Sequence, residues 1–238
     1  MNLFFDDLYV RWTREDYLAL NSLHYKNRDN WQNKREKNTL FSKDKFGLTL
    51  DEKIDLRGFY FDVGLSFQHL DGVDFSYCNT KKSFEVCQQT TNRAFDFRNR
   101  IAFSDSIIEN CNFAHAALSG CIRSLLSSSC FDYATIDGGG LGVSQEIVNC
   151  SFRHVKFQNA LLSGIVFRNC DFTGVIFYGN STVEQCKFIH CTFDKVLFKT
   201  TLLKRLATIA PFYGCEFFGA SPLSLKQKSK LSKTISVM

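Results

Sequence analysis

The sequence predicts an all-β solenoid, a chain wound into square coils of about 20 residues. Three observations carry that expectation. From Cys150 to Gly179 six five-residue units run without a break: CSFRH, VKFQN, ALLSG, IVFRN, CDFTG and VIFYG. The phrase small-x-Phe-x-x-small-x-apolar begins at Cys111, Ser129, Cys150, Cys170, Cys191 and, more weakly, Cys215, at spacings of 18, 21, 20, 21 and 24 residues. The 238-residue chain also holds 25 Phe and only 2 Pro.

A period of five fits neither the helical nor the ordinary strand repeat. Apolar residues fall at positions 1 and 3 of each unit, and a two-residue step places both side chains on one side of an extended segment. The remaining residues are mostly polar or Gly and must turn the chain. Each unit is therefore one short straight side and a corner, and four corners close a square. Successive coils then pair their backbones along the stack, about 4.8 Å apart.

Stacking predicts four inward columns: Phe131, Phe152, Phe172 and Phe193; Ile136, Phe157, Phe177 and Phe198; Leu141, Leu162, Thr182 and Leu203; Ile147, Phe167 and Phe188. Single-residue insertions are needed near Val143 and Thr182. Asn180 and Thr182 fall at inward positions, so either they are hydrogen-bonded inside or their segment leaves the regular path, since a buried unpaired amide is costly.

These residues resemble the pentapeptide-repeat proteins, whose fold is a right-handed quadrilateral β-helix. The likeness lies in the central Phe or Leu (Phe152, Phe157, Leu162, Phe167, Phe172, Phe177, Phe188, Phe193, Phe198 and Leu203) and the small residue two before each. It is clear over about residues 111–219 and looser back to about residue 54, through IDLRG, FYFDV and VDFSY. About eight coils are expected, the degenerate ones included.

A solenoid needs its ends covered, because exposed strand edges invite association. Residues 1–53 are expected to be an N-terminal helical capping segment. Thr13 and Asp16 form a capping-box pattern, and Leu20, Leu23 and Trp31 supply an inward stripe for a helix from about Arg14 to Lys37. Residues 54–220 form the β-helix and 221–238 a basic C-terminal tail. The stretches 76–110 and 204–214 lose the register, as projecting loops or degenerate coils.

The start of the sequence has no basic n-region and reads as a poor signal peptide, and no run of 20 apolar residues is present. With 10 Cys, the chain is expected in a reducing compartment, hence cytoplasmic. Cys150, Cys170 and Cys191 stack inward as small buried residues. His190 points out at a corner while Cys186 and Cys191 point in, which argues against zinc. His154 and His115 likewise face away from Cys150 and Cys111, which argues against a nucleophile–base pair. The run Gly138–Gly140 lacks the context of a phosphate loop. No catalytic residue, metal or cofactor is expected.

The net charge is +5, with four lysines (Lys226, Lys228, Lys230 and Lys233) in the tail. Between Cys150 and Arg205 eight basic residues face three acidic ones, Asp171, Glu184 and Asp194. Some pentapeptide-repeat proteins protect type II topoisomerases by resembling DNA with acidic faces; this basic stretch departs from that pattern. Nucleic acid is disfavoured as a partner, because outward positions show no recognition helix or aromatic ladder. The outward position of each side carries Leu161, Val166, Ile176, Leu197 and Leu202. With Tyr178 they form an apolar patch rimmed by Lys199, Lys204 and Arg205, and such patches mark contact surfaces. The expected role is a non-enzymatic bacterial protein that binds a protein partner, a toxin or enzyme, as an inhibitor or immunity-type scaffold. Topoisomerase (DNA gyrase) binding is the alternative, and a homodimer is a further possibility.

Overall fold

The computed structural model describes residues 11–13, 15–16, 43–59, 65–66, 69–78, 101–119, 121–139, 141, 146–200 and 212–219. Among them the chain is an all-β parallel solenoid. Apart from helical residues at Glu15 and Asp16, its described helix is the single turn Lys43–Phe46.

Four columns of strands and bridges make the four faces. The first is a line of parallel rungs running Asp55, Asp74, Asn112, Cys130, Ser151, Asp171 and Thr192. The second is a five-stranded sheet of Ala117–Ser119, Thr135–Asp137, Lys156–Gln158, Ile176–Gly179 and Leu197–Thr200. The third joins Leu161–Ser163, Thr182–Glu184 and Phe212–Tyr213. The fourth is an eight-stranded sheet that ends at Glu216–Phe218. Its strands Ile101–Glu109 and Cys121–Ser127 are long because they continue through the corner between the third and fourth faces, with register shifts between Ile101 and Phe103 and between Ser104 and Ile107.

Backbone groups pair mainly along the stack, and this continues at the corners beside short turn bonds such as Val155 to Phe152 at 3.2 Å. The amide of Asn149 donates to the carbonyl of Arg168 at 2.9 Å, and that of His154 to Thr173 at 2.8 Å. Each of those corner residues has a positive φ, 54° at Asn149 and 57° at His154. A left-handed residue is what turns the chain there, and Asn tolerates that region better than most. The rungs of the first face favour Asp or Asn for a related reason. Asp74, Asn112 and Asp171 each accept the N–H two residues on, at 2.8, 3.0 and 2.9 Å, and so prefold the turn.

The core is built of stacked rings. Phe75, Phe113, Phe131, Phe152, Phe172 and Phe193 form one column with centroids 4.8 to 5.2 Å apart. Phe157, Phe177 and Phe198 form a second and Phe167, Phe188 and Phe217 another. Neighbouring columns meet edge to face, as Phe167 and Phe172 do at 5.1 Å and 86°, the geometry the ring quadrupole favours. These columns match expectation on three faces.

The third column differs. Leu162 stacks on Val183 and Phe212, while Thr182 stands outward opposite Leu161. The extra residue enters earlier than its position near Thr182 suggests, in the longer strand Ile176–Gly179 and the exposed Asn180 after it. Ser181 then takes the small inward position. Its hydroxyl accepts the Ala160 amide at 3.1 Å and reaches the Tyr178 carbonyl at 2.6 Å, so the buried oxygen is paired. Leu203 and the insertion near Val143 lie outside the described residues.

The number of coils is also lower than expected. Among the described residues the first-face rungs mark six turns from Asp55 to Thr192, and the step from Asp74 to Asn112 alone takes 38 residues, against 18 to 21 for the others. Phe75 donates directly to the Asn112 carbonyl at 2.7 Å, so no coil is interposed. The stretch 76–110 is therefore neither wholly loop nor a degenerate coil. Residues 76–78 and 101–110 belong to the stack, and 79–100 lie outside the described residues.

At the N-terminal end Leu48 pairs with Ile54 antiparallel, against the parallel sense of every other described pairing. That reversal closes the edge of the first coil. The Thr13–Asp16 capping box is formed: Thr13 donates to the Asp16 carboxylate at 3.0 Å and Asp16 to the Thr13 hydroxyl at 3.1 Å. The remainder of the expected helix, and the tail 221–238, lie outside the described residues. No helix of the described residues is long and apolar enough to cross a membrane.

Two outcomes test this packing. Phe172→Ala removes a ring flanked on four sides and should cost about 3–5 kcal/mol in chemical denaturation. Burial works to raise the Asp55 pKa, but hydrogen bonds from Arg57 and Arg11 outweigh it and hold the carboxyl well below the usual carboxylate range. A depressed pKa adds stability that is present at neutral pH and fades as pH falls below about 4. Stability followed from about pH 5 to 2 should therefore fall less steeply in Asp55→Asn than in the parent.

Candidate protein-docking surface

The second face carries the candidate site because successive coils hold its outward positions in strict register. Ile176 lies opposite Leu197, and Tyr178 opposite Lys199. Leu197 is 48% exposed, Ile176 and Tyr178 are half-buried, and the Lys199 ammonium sits 5.6 Å from the Tyr178 ring centroid. That contact orients a long, mobile cation over an aromatic face. Leu161, 46% exposed, stands on the third face, around the corner made by Gly179 and Asn180. The structure thus brings Ile176, Tyr178, Leu197 and Lys199 together and sets Leu161 apart. Val166 is half-buried on the fourth face beside Lys187. Leu202, Lys204 and Arg205 lie outside the described residues.

The charge pattern needs correction. The stretch 150–205 looks basic partly because its counterions lie in coils beyond it. Arg168 pairs with Glu146, Lys187 with Glu216 at 3.1 Å, and Arg153 with Asp132 through two N–H···O contacts of 2.8 and 2.5 Å. Coil stacking brings together residues about 20 positions apart, which a linear count of charges separates. The fourth face is thereby neutralised within itself. On the second face Lys156 and Lys199 belong to no ion pair among the described residues.

A second correction concerns aromatics. An outward ladder exists at the corner between the first and second faces. Tyr77, His115, Tyr133 and His154 stack at 4.8, 5.1 and 4.8 Å, within 15° of parallel. Its signal is in the sequence: each ring stands two residues after a core phenylalanine, Phe75, Phe113, Phe131 and Phe152. Both faces of His115 and of Tyr133 are covered by neighbouring rings, and His154 overlies Gly174. The ladder presents ring edges to solvent, whereas base stacking needs open faces.

The cysteines are packing groups. Cys150, Cys170, Cys186 and Cys191 are buried, while His154 and His190 are exposed at corners. Burial pushes the Cys150 thiol up to about 12, and the contact with Cys191, then burial, push Cys170 up as well. A thiol held protonated is a poor nucleophile and metal ligand. Among the described residues no group of three or more His, Cys, Asp or Glu is placed to hold a metal ion.

Residues 150–179 match the family model described as pentapeptide repeats (8 copies). Among solved structures, the chain is similar to full-length QnrB1, a plasmid-mediated fluoroquinolone resistance protein, at 12% identity over 77% of this chain and 89% of that one, with a TM-score of 0.39. It is similar to HetL, a pentapeptide-repeat protein involved in heterocyst differentiation regulation from the cyanobacterium Nostoc sp. strain PCC 7120, at 11% identity, 68% and 73% coverage and a TM-score of 0.20. Rfr23 from the cyanobacterium Cyanothece 51142 gives 14% identity, 72% and 91% coverage and a TM-score of 0.18. No curated protein matches the chain.

The corner ladder yields a stability test. A Cβ on Gly174 would lie 2.4 Å from the His154 ring, at a φ of 69° that already disfavours a side chain. Gly174→Ala should destabilise by about 1–3 kcal/mol in urea unfolding. In a His154→Ala background the penalty should shrink to about 1 kcal/mol, the backbone contribution alone.

Proposed function

We propose that this pentapeptide-repeat protein is a non-enzymatic protein-binding scaffold of the inhibitor or immunity type, which neutralises a toxin or an enzyme by occupying its surface. The observation that carries the reading is the second face near the C-terminal coils. There an exposed Leu197, the half-buried Ile176 and Tyr178, and the cations Lys156 and Lys199 share one flat sheet. Rigid, regularly spaced outward side chains lose little conformational entropy when a partner binds. Cations without a counterion on that face favour an acidic partner and speed its approach. From the sequence alone, Leu161 and Leu202 are proposed as further apolar members of the contact and Lys204 and Arg205 as basic ones. The reading takes the coil as right-handed and the protein as bacterial and cytoplasmic, with no cofactor, and treats a homodimer as compatible.

A second reading, binding to a type II topoisomerase such as DNA gyrase, gains from the ion pairs that reduce the basic balance of the rod. It asks for an acidic stripe, however, and Asp74 and Asp132 on the first face are buried and tied up in hydrogen bonds.

Leu197→Glu tests the first reading. The variant should keep the circular dichroism and thermal midpoint of the parent. The protein that the parent retains on an affinity column from native extract should be lost, and for that isolated partner Kd should rise at least about tenfold. Retention of the same partner at the same affinity would rule the second face out. A gyrase supercoiling assay separates the readings: the parent should leave supercoiling unchanged.

A further inference from the structure

Resting on the docking reading, we infer that the occupant of the second face is an amphipathic α-helix of the partner, bearing carboxylates and lying along the coil axis. A partner strand cannot be added at the middle of this surface. Ile176–Gly179 already pairs on both edges, with Lys156–Gln158 and with Leu197–Thr200. Contact there is made by side chains. They stand in two rows that run along the stack: Lys156, Ile176 and Leu197 in one, Gln158, Tyr178 and Lys199 in the other. Neighbours within a row are one coil apart, about 4.8 Å. The apolar members follow one another along the axis, not across it.

That spacing selects the helix. Seven helical residues advance about 10.5 Å, against about 9.6 Å for two coil steps. The helix face made by residues i, i+3, i+4, i+7 and i+8 therefore keeps step with three coils. An extended chain places like-facing residues about 6.6 Å apart and falls out of step. Charge then assigns the positions. Lys156 precedes Ile176 by one coil and Lys199 stands on the coil of Leu197, and neither cation belongs to an ion pair among the described residues. A carboxylate at i meets Lys156, apolar residues at i+3 and i+4 lie over Ile176 and Tyr178, an apolar residue at i+7 lies over Leu197, and a carboxylate at i+8 meets Lys199. Asp137 stands opposite Gln158 one coil earlier and bounds the cationic stretch. The helix N-terminus, which carries partial positive charge, points toward it.

The probe is a labelled, alanine-rich helical peptide of about 20 residues, with Glu at i and i+8 and Leu at i+3, i+4 and i+7. Fluorescence anisotropy against the full chain should show saturable binding. A peptide with Lys at i and i+8 should bind at least about tenfold more weakly, and so should one whose helix is broken by Pro at i+5. Leu197→Glu should weaken the Glu peptide at least about tenfold. Lys156→Glu with Lys199→Glu should reverse the preference, so that the Lys peptide binds more tightly than the Glu peptide. Leu125, 52% exposed on the fourth face, supplies the control: Leu125→Glu should bind the Glu peptide as the parent does. No binding by the parent, equal binding of the Pro peptide, or an unchanged charge preference in the double variant would each overturn the inference. So would a parent dimer that light scattering shows to be lost in Leu197→Glu, for a second copy would then fill the face. If the helix probe fails while Leu197→Glu still loses the partner retained from extract, the helix falls and the docking reading stands.

Discussion

The structure depends on one constraint: each coil donates and accepts its backbone hydrogen bonds to the coils above and below, in register, with parallel sense. A coil satisfies few of its own amides, in corner turns such as Val155 to Phe152, so its neighbours fix where most side chains must stand. The consequence is that like stacks on like. Phenylalanines pile into columns about 5 Å apart, Asp and Asn rungs repeat one turn motif on the first face, and corner rings form a ladder of their own. Ring faces meet within a column and ring edges meet between columns, so four short sides give a packed interior without a conventional two-layer core.

The same constraint decides where irregularity can go. A coil that is one residue too long keeps its rungs and expels the surplus, as at Gly179 and Asn180, where Ser181 returns to the inward position and pairs its hydroxyl. Asp74 pairs with Asn112 across 38 residues, and the chain rejoins the stack as though nothing intervened. Parallel stacking also leaves open edges at both ends, and at the first coil the reversed pairing of Leu48 with Ile54, together with Trp12 over Phe59, closes one of them.

The faces differ in how they use their charges. The fourth face settles its own charges, the first ties its carboxylates into turns and ion pairs, and burial holds Cys150 as a thiol. The second face keeps cations beside exposed aliphatic and aromatic groups. What distinguishes it is that Lys156 and Lys199 have no ion-pair partner among the described residues.

The sequence by itself determined the square coil, the inward phenylalanine columns and the outward face of Ile176 and Leu197, because a five-residue period with apolar residues at positions 1 and 3 admits few other geometries. It did not reveal that Val183 rather than Thr182 points inward, since the place of the one-residue insertion decides which side chains beside it turn in, and that place depends on which backbone bonds the neighbouring coil offers. It also misjudged the charge, because Glu146 and Glu216 reach Arg168 and Lys187 only when coils stack. The corner ladder was legible in the residue two after each phenylalanine, a corner position outside the straight sides. The seating of Arg11 on Asp55 belonged wholly to the tertiary structure, for no local period relates two residues so far apart along the chain.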